Sequence, residues 1–369
     1  MKNTKRLLLV VGSINQGGAE FQLLSLAKLL QSKGHNVEVL ALTDYDYFLN
    51  FIQEHKLTYS CVSNEGSNFQ RLRRAVKQIN KKKPDLVISY IKRVSQVAIL
   101  ARVLSAFRFK LIISERTSLI RPWHDLFYFN LALLANKVTV NSRSKINYIN
   151  KRFPLLRKAT IFMPNIIDID KFKNIQRSGT SNIGCNISFV GRISPEKNLL
   201  RLINAIQVLV NKGYNIRLSI NGSASNKKYF EEIIQLIREL HLEDIVKYDG
   251  PTTDVREVYK NTNLLCLVSI FEGFSNVLSE AICCGIPVIA SDIEENRFLV
   301  KEGENGFLVD PSDYTSLAAG IEKFLQLTPE EVKVISNNNT KKAHAIFDEE
   351  RIYQSYLDIF KEIGFSTKN

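Results

Sequence analysis

Hydrophobic positions fall in short runs separated by longer amphipathic stretches, and the alternation continues along most of the chain. Apolar runs at Leu7–Val11, Val37–Leu42, Thr58–Val62, Leu86–Tyr90, Leu111–Ser114 and Val138–Asn141 read as strands. Near-continuous apolar runs of this kind suit parallel strands buried on both faces. Between them, apolar residues recur at helical spacing. Phe21, Leu24, Ala27 and Leu30 share one face of a helix from Ala19 to about Lys33, and further helical patterns lie near 67–82, 94–106, 122–136 and 142–152. A second series repeats the architecture, with strands at Asn186–Val190, Ile216–Ile220, Ile245–Tyr248, Leu264–Val268, Val288–Ala290 and Gly306–Val309. From about Pro329 the chain is helical, with a break near Asp348-Glu349-Glu350 and a final helix rich in Tyr and Phe. Strands separated by helices predict an α/β chain with doubly wound, mostly parallel sheets.

A chain of 369 residues with 45% hydrophobic content is ample for two ordinary domains. Its five cysteines include no C-x-x-C pair, which suits a reducing compartment. Adjacent Cys283 and Cys284 read as small packing residues, because neighbouring cysteines bridge only with strain. The opening MKNTKRLLLVVGS reads as a first strand and not as a signal peptide, since polar residues follow its short apolar run. No stretch approaches the ~20 apolar residues of a spanning helix, so the expectation is a soluble protein, or one attached at most to a membrane surface. Charge is uneven: residues 1–170 hold 27 Lys and Arg against 11 Asp and Glu, a net of +16, whereas 171–369 hold 23 against 26, a net of −3. A basic half attracts phosphate, of lipid headgroups or of nucleic acid.

The densest chemistry lies in Ser269–Asp292. A buried strand leads into a loop carrying Glu272, then a helical pattern carrying Glu280, which Gly285 and Pro287 end before the next strand. Such loops, at the carboxyl ends of parallel strands and the N-termini of helices, are where open α/β sheets bind ligands. Gly191-Arg192-Ile193-Ser194-Pro195-Glu196-Lys197-Asn198 is a second site. Ser194 as N-cap and Pro195 as first helical residue predict a helix start there. A lysine in that first turn opposes the macrodipole unless an anion is near, so Arg192 and Lys197 point to phosphate. Gly12–Glu20 follows the first strand and opens a helix; Gly17 and Gly18, without Cβ atoms, let backbone N–H groups approach a phosphate. Asn221-Gly222-Ser223 and Tyr248-Asp249-Gly250-Pro251 end strands on the same rim as Arg192 and Glu272.

The string Glu272-Gly273-Phe274-Ser275-Asn276-Val277-Leu278-Ser279-Glu280-Ala281, followed by Gly285-Ile286-Pro287-Val288-Ile289-Ala290, resembles the E-x7-E element of retaining family-4 glycosyltransferases. Its flanking E-G-F, E-A and G-x-P-V-I-A elements fall in register with the acids. The Arg192–Lys197 pair is similar to the same family's G-R-x-x-x-x-K element, Gly17–Glu20 to its first loop, and Pro164-Asn165 through Asp168 and Phe172 to its interdomain connection. The resemblance implies the GT-B fold: two Rossmann-like doubly wound parallel-sheet domains facing a cleft. An acceptor-side domain, 1–170, precedes a donor-binding domain, 171–349, with the polar Lys173–Gly184 as linker and a C-terminal helix, 350–369, packing back on the first domain.

It also implies roles. Arg192 and Lys197 clamp the diphosphate of a nucleotide-sugar donor, Glu272 contacts the donor sugar, and Glu280 the ribose. Backbone N–H groups of Phe274, Ser275, Asn276 and Val277 meet the phosphates, Gly222 and Gly250 line the nucleoside pocket, and Gly17 and Gly18 face the diphosphate. Many relatives carry a histidine near Ser114-Glu115-Arg116-Thr117; this chain has none there. Two readings stand for Glu115 and Arg116: cleft-facing groups, with Glu115 counted among the catalytic candidates, or a buried salt bridge at a strand end. No metal or other cofactor is implied, because positive groups replace the ion that other transferases hold through D-x-D; Asp44-Tyr45-Asp46 and Asp168-Ile169-Asp170 match that spacing by letter only.

The function so implied is transfer of a hexose or N-acetylhexosamine, from a UDP-linked donor, to a glycan or lipid-linked acceptor (a polyprenyl diphosphate or glycolipid) in bacterial-type surface polysaccharide or glycolipid assembly. The place would be cytoplasmic, peripheral on the inner membrane. A basic helix, Arg71–Lys83, and the apolar segment Trp123–Ala135 suggest contact with an anionic membrane, the latter being either wholly buried or docked to lipid. The alternatives are a sugar-nucleotide epimerase or hydrolase of the same shape, a degenerate partner subunit, and a basic nucleic-acid-binding protein. Against the last, aromatics are not interleaved with the basic runs and no helix-turn-helix or zinc signature occurs.

Overall fold

Each apolar run becomes a strand in one of two parallel sheets, and the residues between them become the helices that cover those sheets. The computed structural model describes residues 5–117, 119–173, 175, 184–224, 226–252 and 254–365; most of the segment expected as a linker, Lys173–Gly184, lies outside them. The chain parts into two compact units, residues 1–166 with 349–369, and residues 167–348.

The first unit holds a seven-stranded sheet of order β3-β2-β1-β4-β5-β6-β7. Its strands are β1 (Arg6–Val11), β2 (Asn36–Ala41), β3 (Thr58–Cys61), β4 (Leu86–Tyr90), β5 (Lys110–Glu115), β6 (Lys137–Val140) and β7 (Thr160–Phe162). The central strand β1 shows why its run is unbroken: Leu7, Leu9 and Val11 enter one core, and Leu8 and Val10 the core on the opposite face. Helices α1 (Gly18–Ser32) and α2 (Leu49–Glu54) cover the first face. Helices α3 (Asn68–Lys81), α4 (Lys92–Val103), α5 (Pro122–Ala132) and α6 (Arg143–Arg152) cover the second. A capping box starts α3: Ser67 Oγ accepts from the Gln70 amide, and Gln70 Oε1 from the Ser67 amide.

The second unit holds a six-stranded sheet of order β10-β9-β8-β11-β12-β13. Its strands are β8 (Cys185–Val190), β9 (Ile216–Asn221), β10 (Val246–Gly250), β11 (Leu264–Leu267), β12 (Val288–Ser291) and β13 (Gly306–Val309). A short helix, α7 (Ile169–Lys173), opens it, followed by α8 (Leu199–Asn211), α9 (Lys227–Glu239), α10 (Val255–Lys260), α11 (Asn276–Cys283), α12 (Glu294–Leu299), α13 (Tyr314–Leu325) and α14 (Pro329–Phe347). Residues of α8, α9 and α13 build the main core with alternate residues of β8 and β9, while α11 packs against α7 and α14.

The last helix, α15 (Glu349–Glu362), belongs to the first unit, where Ile352, Tyr356, Ile359 and Phe360 join the core under α1. Lys33 pairs with Glu350 at 2.6 Å, and His35 Nε2 lies 2.9 Å from the Tyr353 hydroxyl. In GT-B terms, each unit is a doubly wound parallel-sheet layer structure.

Candidate functional site

In the second unit the chain winds from β8 to β9 and β10 on one side, and β11, β12 and β13 lie on the other. The order therefore reverses between β8 and β11, and the loops leaving these two strands sit side by side at a switch point, the place for ligands in open α/β sheets. Hydrogen bonds join the loops: the Ile270 amide donates to the Glu196 carbonyl at 2.9 Å, and Asn198 Nδ2 to the Val268 carbonyl at 3.0 Å. The rim continues outward, with the Gly191 amide on the Asn221 carbonyl and the Gly222 amide on the Gly250 carbonyl. Gly222 has no substitute: a Cβ there would lie 1.8 Å from the Gly191 carbonyl oxygen. Gly250 has φ +80°, the left-handed region that glycine enters freely.

Arg192 is exposed on this rim. The helix start expected at Ser194-Pro195 takes another form: Pro195–Lys197 makes a single 3-10 turn, Asn198 is left-handed with φ 64°, and α8 begins only at Leu199. Asn198 interrupts the helix because its side chain is occupied twice, donating to the carbonyls of Val268 and Pro311. Lys197 thus lies before the helix and not in its first turn. It does have an anion: its ammonium is 2.5 Å from Glu272 Oε1, the pair being about four-fifths buried, and Ser269 Oγ donates to the same oxygen at 2.8 Å. One carboxylate of the E-x7-E element and the lysine of the basic element are therefore in direct contact.

Ser275 caps α11, its hydroxyl accepting from the Leu278 amide at 3.2 Å. Asn276 and Val277 form the first turn, at the positive end of the helix dipole. The ring of Phe274 turns inward against Phe298 and Phe347, so its contribution to the rim is backbone. Glu280 follows one turn on, and Tyr259 Oη donates to its Oε2 at 3.0 Å. Burial pushes the Glu280 carboxyl up to about 7, against the pull of the Tyr259 hydroxyl and of the Lys171 charge. Arg192, Lys197, Glu272, Glu280, Gly222, Gly250 and the α11 start all belong to the second unit. A cavity of about 770 Å³ in the same unit, bordered by Ser188, Ser219, Lys247 and Glu257, lies along β8, β9 and β10; it reaches Asn221 and Asp249 at the rim, but Arg192, Lys197, Glu272 and Glu280 are not in its wall.

Gly17, Gly18 and Glu115 lie in the first unit. Gly17 is the N-cap of α1, and the carboxylate of Glu20 folds over it, 2.1 Å from where a Cβ would stand. The turn expected to open to phosphate thus has a carboxylate beside it. Glu115 ends β5 fully buried, with Lys92 Nζ 3.5 Å from its Oε2. Lys92 also pairs with Asp125 on α5, and Asp125 with Lys145 on α6 at 3.2 Å; Asp125 and Lys145 are both 0% exposed. Burial pushes the Glu115 carboxyl up and the Lys145 ammonium down. Of the two readings of this strand end, the geometry displays the ion pair. Arg116 is half-buried: Nη2 donates to the Tyr90 hydroxyl at 2.6 Å and Nη1 to Asn165 Oδ1 at 3.2 Å, with the guanidinium stacked 4.3 Å from the Tyr90 ring.

Of three further participants, two do not stand out in the sequence. Ser269 and Tyr259 carry no signal beyond lying next to strand β11. Asp125 carries one, as the lone acid inside an apolar helical segment. Segment Trp123–Ala135 is neither wholly buried nor wholly exposed: Asp125, Tyr128, Phe129 and Ala132 face inward, and Trp123, Leu126 and Phe127 face solvent.

Residues 170–342 match the family model described as glycosyl transferases group 1, and residues 16–171 the model described as glycosyltransferase family 4. The chain is 25% identical to the Campylobacter jejuni GalNAc-alpha-(1->4)-GalNAc-alpha-(1->3)-diNAcBac-PP-undecaprenol alpha-1,4-N-acetyl-D-galactosaminyltransferase, over 97% of this chain and 99% of the relative. It is 26% identical to the N-acetylgalactosamine-N,N'-diacetylbacillosaminyl-diphospho-undecaprenol 4-alpha-N-acetylgalactosaminyltransferase of the same organism, over 96% and 98%. Among solved structures it is similar to Anabaena Alr3699/HepE in complex with UDP, with TM-score 0.82 and 24% identity over 96% of this chain and 99% of that one. That likeness is one of fold.

Proposed function

The chain belongs to the family-4, group 1 glycosyltransferases of GT-B fold, and from that premise we propose that it transfers a hexose or N-acetylhexosamine from a UDP-linked sugar, with retention, to a lipid-linked or glycan acceptor. The observation that carries this reading is the contact of Lys197 with Glu272 across the two loops at the β8/β11 switch point, with Arg192 exposed on the first loop and Glu280 one turn into the helix that follows the second. In support of the donor, a structural neighbour is recorded with UDP; in support of the acceptor, two relatives are named for undecaprenyl-diphosphate-linked glycans.

In the reaction, the bond between the anomeric carbon and the diphosphate oxygen breaks. A bond from the acceptor hydroxyl oxygen to that carbon forms on the same face, and the hydroxyl proton passes to the departing phosphate oxygen. Charge grows on the diphosphate as its bond stretches. Arg192, Lys197 and the first turn of α11 stabilise that charge, and fixed electrostatic groups of this kind usually account for most of the rate gain. The donor draws Lys197 toward phosphate and leaves Glu272 to accept from sugar hydroxyls, while Glu280 accepts from the ribose. Gly222 and Gly250 let backbone approach the nucleoside, and Gly17 and Gly18 leave the start of α1 open to an anion once the Glu20 side chain swings aside. Glu115, with both carboxylate oxygens buried, serves as a positioning group for Lys92 and the strand end and does not touch substrate. No metal is required, and the enzyme works at the cytoplasmic face of the membrane that carries its acceptor.

A screen of radiolabelled nucleotide sugars against undecaprenyl-diphosphate-linked acceptors tests the reading. Transfer from a UDP-sugar with the anomeric configuration kept is the expected result. Release of free sugar or an epimerised nucleotide, with no acceptor product under any donor, would overturn it in favour of a hydrolase or epimerase.

A further inference from the structure

Helices α3, α4 and α5 lie consecutively on one face of the first sheet, α3 packed on α4 and α4 on α5. Their composition is one-sided. Together they carry Arg71, Arg73, Arg74, Lys77, Lys81, Lys92, Arg93 and Arg102, and a single acid, Asp125. That acid is fully buried and paired with two lysines, so it contributes no negative charge to the surface. Arg73, Lys77, Lys81 and Arg93 are exposed.

The neighbouring helix α5 is apolar on both sides: Asp125 is buried beside Tyr128, Phe129 and Ala132 on its inner side, and large apolar groups stand on its outer side as well. Trp123 is 85% exposed, Phe127 64% and Leu126 44%. Their spacing of three and four residues places them on one face. Ile120, just before the helix, is exposed as well, and exposed Arg121 stands at the N-cap. Three large apolar side chains on one short helix face, Trp foremost, beside helices rich in cations and free of acids, are not the profile of a face that ends at water.

We propose that this face of the first unit docks on an anionic lipid bilayer. Trp123, Leu126 and Phe127 enter the interfacial layer, while the cations of α3 and α4 lie over the headgroups. Buried pairing of Asp125 with Lys92 and Lys145, together with Tyr128 and Phe129 in the core, fixes which side of α5 faces inward, so the outer apolar side cannot roll under. The inference deepens the lipid-linked acceptor reading by placing the enzyme on the surface that carries such an acceptor. Its physical basis, however, is this surface alone.

Trp123 is the only tryptophan of the chain, so its emission reports directly on the proposed contact. With the full-length protein and phosphatidylcholine vesicles containing phosphatidylglycerol, emission should move to shorter wavelength and be quenched by bromine-labelled lipid. Both effects should be absent with phosphatidylcholine alone. Leu126→Glu with Phe127→Glu, both surface positions, should abolish the shift without lowering the melting temperature. Changing Arg73, Lys77 and Lys81 to Gln should weaken partitioning roughly fivefold for each cation removed and blunt its salt dependence. Emission unmoved by anionic vesicles, or binding unaltered by the double Glu variant, overturns the proposal. So does a lipid-free dimer whose Trp123 emission is already shifted, because a second copy would then be the occupant. Transfer to a water-soluble glycan acceptor, measured on the same variants, separates the two readings: if it persists while vesicle binding is absent in the unaltered protein, the surface proposal fails and the transferase reading stands.

Discussion

At the scale of single residues, the contact between Lys197 and Glu272 is the centre of the proposed donor site. Each satisfies the other, so neither is left as an unpaired buried charge, whose cost would be large. On the proposed reading, a diphosphate takes over the lysine and releases the carboxylate to the sugar, which couples occupancy of one to exposure of the other. Replacing Arg192 or Lys197 by Ala should lower kcat by roughly 10²–10³-fold with the melting curve little changed; turnover near normal in both would remove the clamp.

Glu280 supplies a pH dependence with a definite sign. Its carboxyl is pushed up to about 7 from an ordinary 4.5, so the folded protein holds a proton that the unfolded chain has released. Its contribution to stability is full below about 4.5 and lost as the pH rises through 7. Binding of UDP should show the opposite trend, strengthening through that range, because the ribose hydroxyl donates to the ionised form. Tyr259 Oη draws the carboxyl down, so Tyr259→Phe should move the midpoint to higher pH, and Glu280→Gln should flatten the profile. A flat profile in the unaltered protein would contradict the ribose assignment, whereas an unmoved midpoint in Tyr259→Phe would remove only the positioning role. The acids themselves stand out in the sequence because flanking glycines and a proline fix their register. Tyr259 does not, since its partner is made adjacent only by packing of α10 beside α11. For Glu115 the sequence leaves two readings, because burial at a strand end depends on Lys92 and Lys145 from other helices.

At the scale of elements, the rim works because backbones come unusually close. Gly222→Ala would drive a Cβ into the Gly191 carbonyl, a backbone group that cannot swing away, so the loops after β8 and β9 must part. The variant should lose UDP affinity and melt lower, and wild-type values for both would show that the close approach is not needed. In the first unit, Asp125→Ala would leave Lys145, 0% exposed, without its carboxylate; a loss of roughly 3–5 kcal/mol in chemical denaturation is expected. Most elements are legible from periodicity because each buried run is an uninterrupted apolar stretch: the strand at 86–90 and that at 306–309 match residue for residue. The three-residue β7 and the six-residue α2 escape it, being too short for any period to register. The helix expected to start at Ser194 fails for a physical reason: Asn198, held by two carbonyls from distant loops, takes a left-handed conformation no local signal announces.

At the scale of the whole molecule, two sheets of parallel order and two family models that meet near residue 170 describe one enzyme class. The alternation of runs is enough to read the fold class, and the charge imbalance between halves is legible as composition. How the cations distribute is not: only folding sets α3, α4 and α5 on one face and hides their one acid. Which sugar and which acceptor are joined rests on loop side chains from many strands, which one sequence does not order in space. The central claim is that the β8/β11 rim of the second unit holds a nucleoside diphosphate. Calorimetric titration of the full-length protein with UDP, repeated on the Arg192→Ala, Lys197→Ala double variant, tests it most directly. The account predicts saturable one-to-one binding that the double variant weakens by at least roughly tenfold, and equal affinity in both proteins would contradict it.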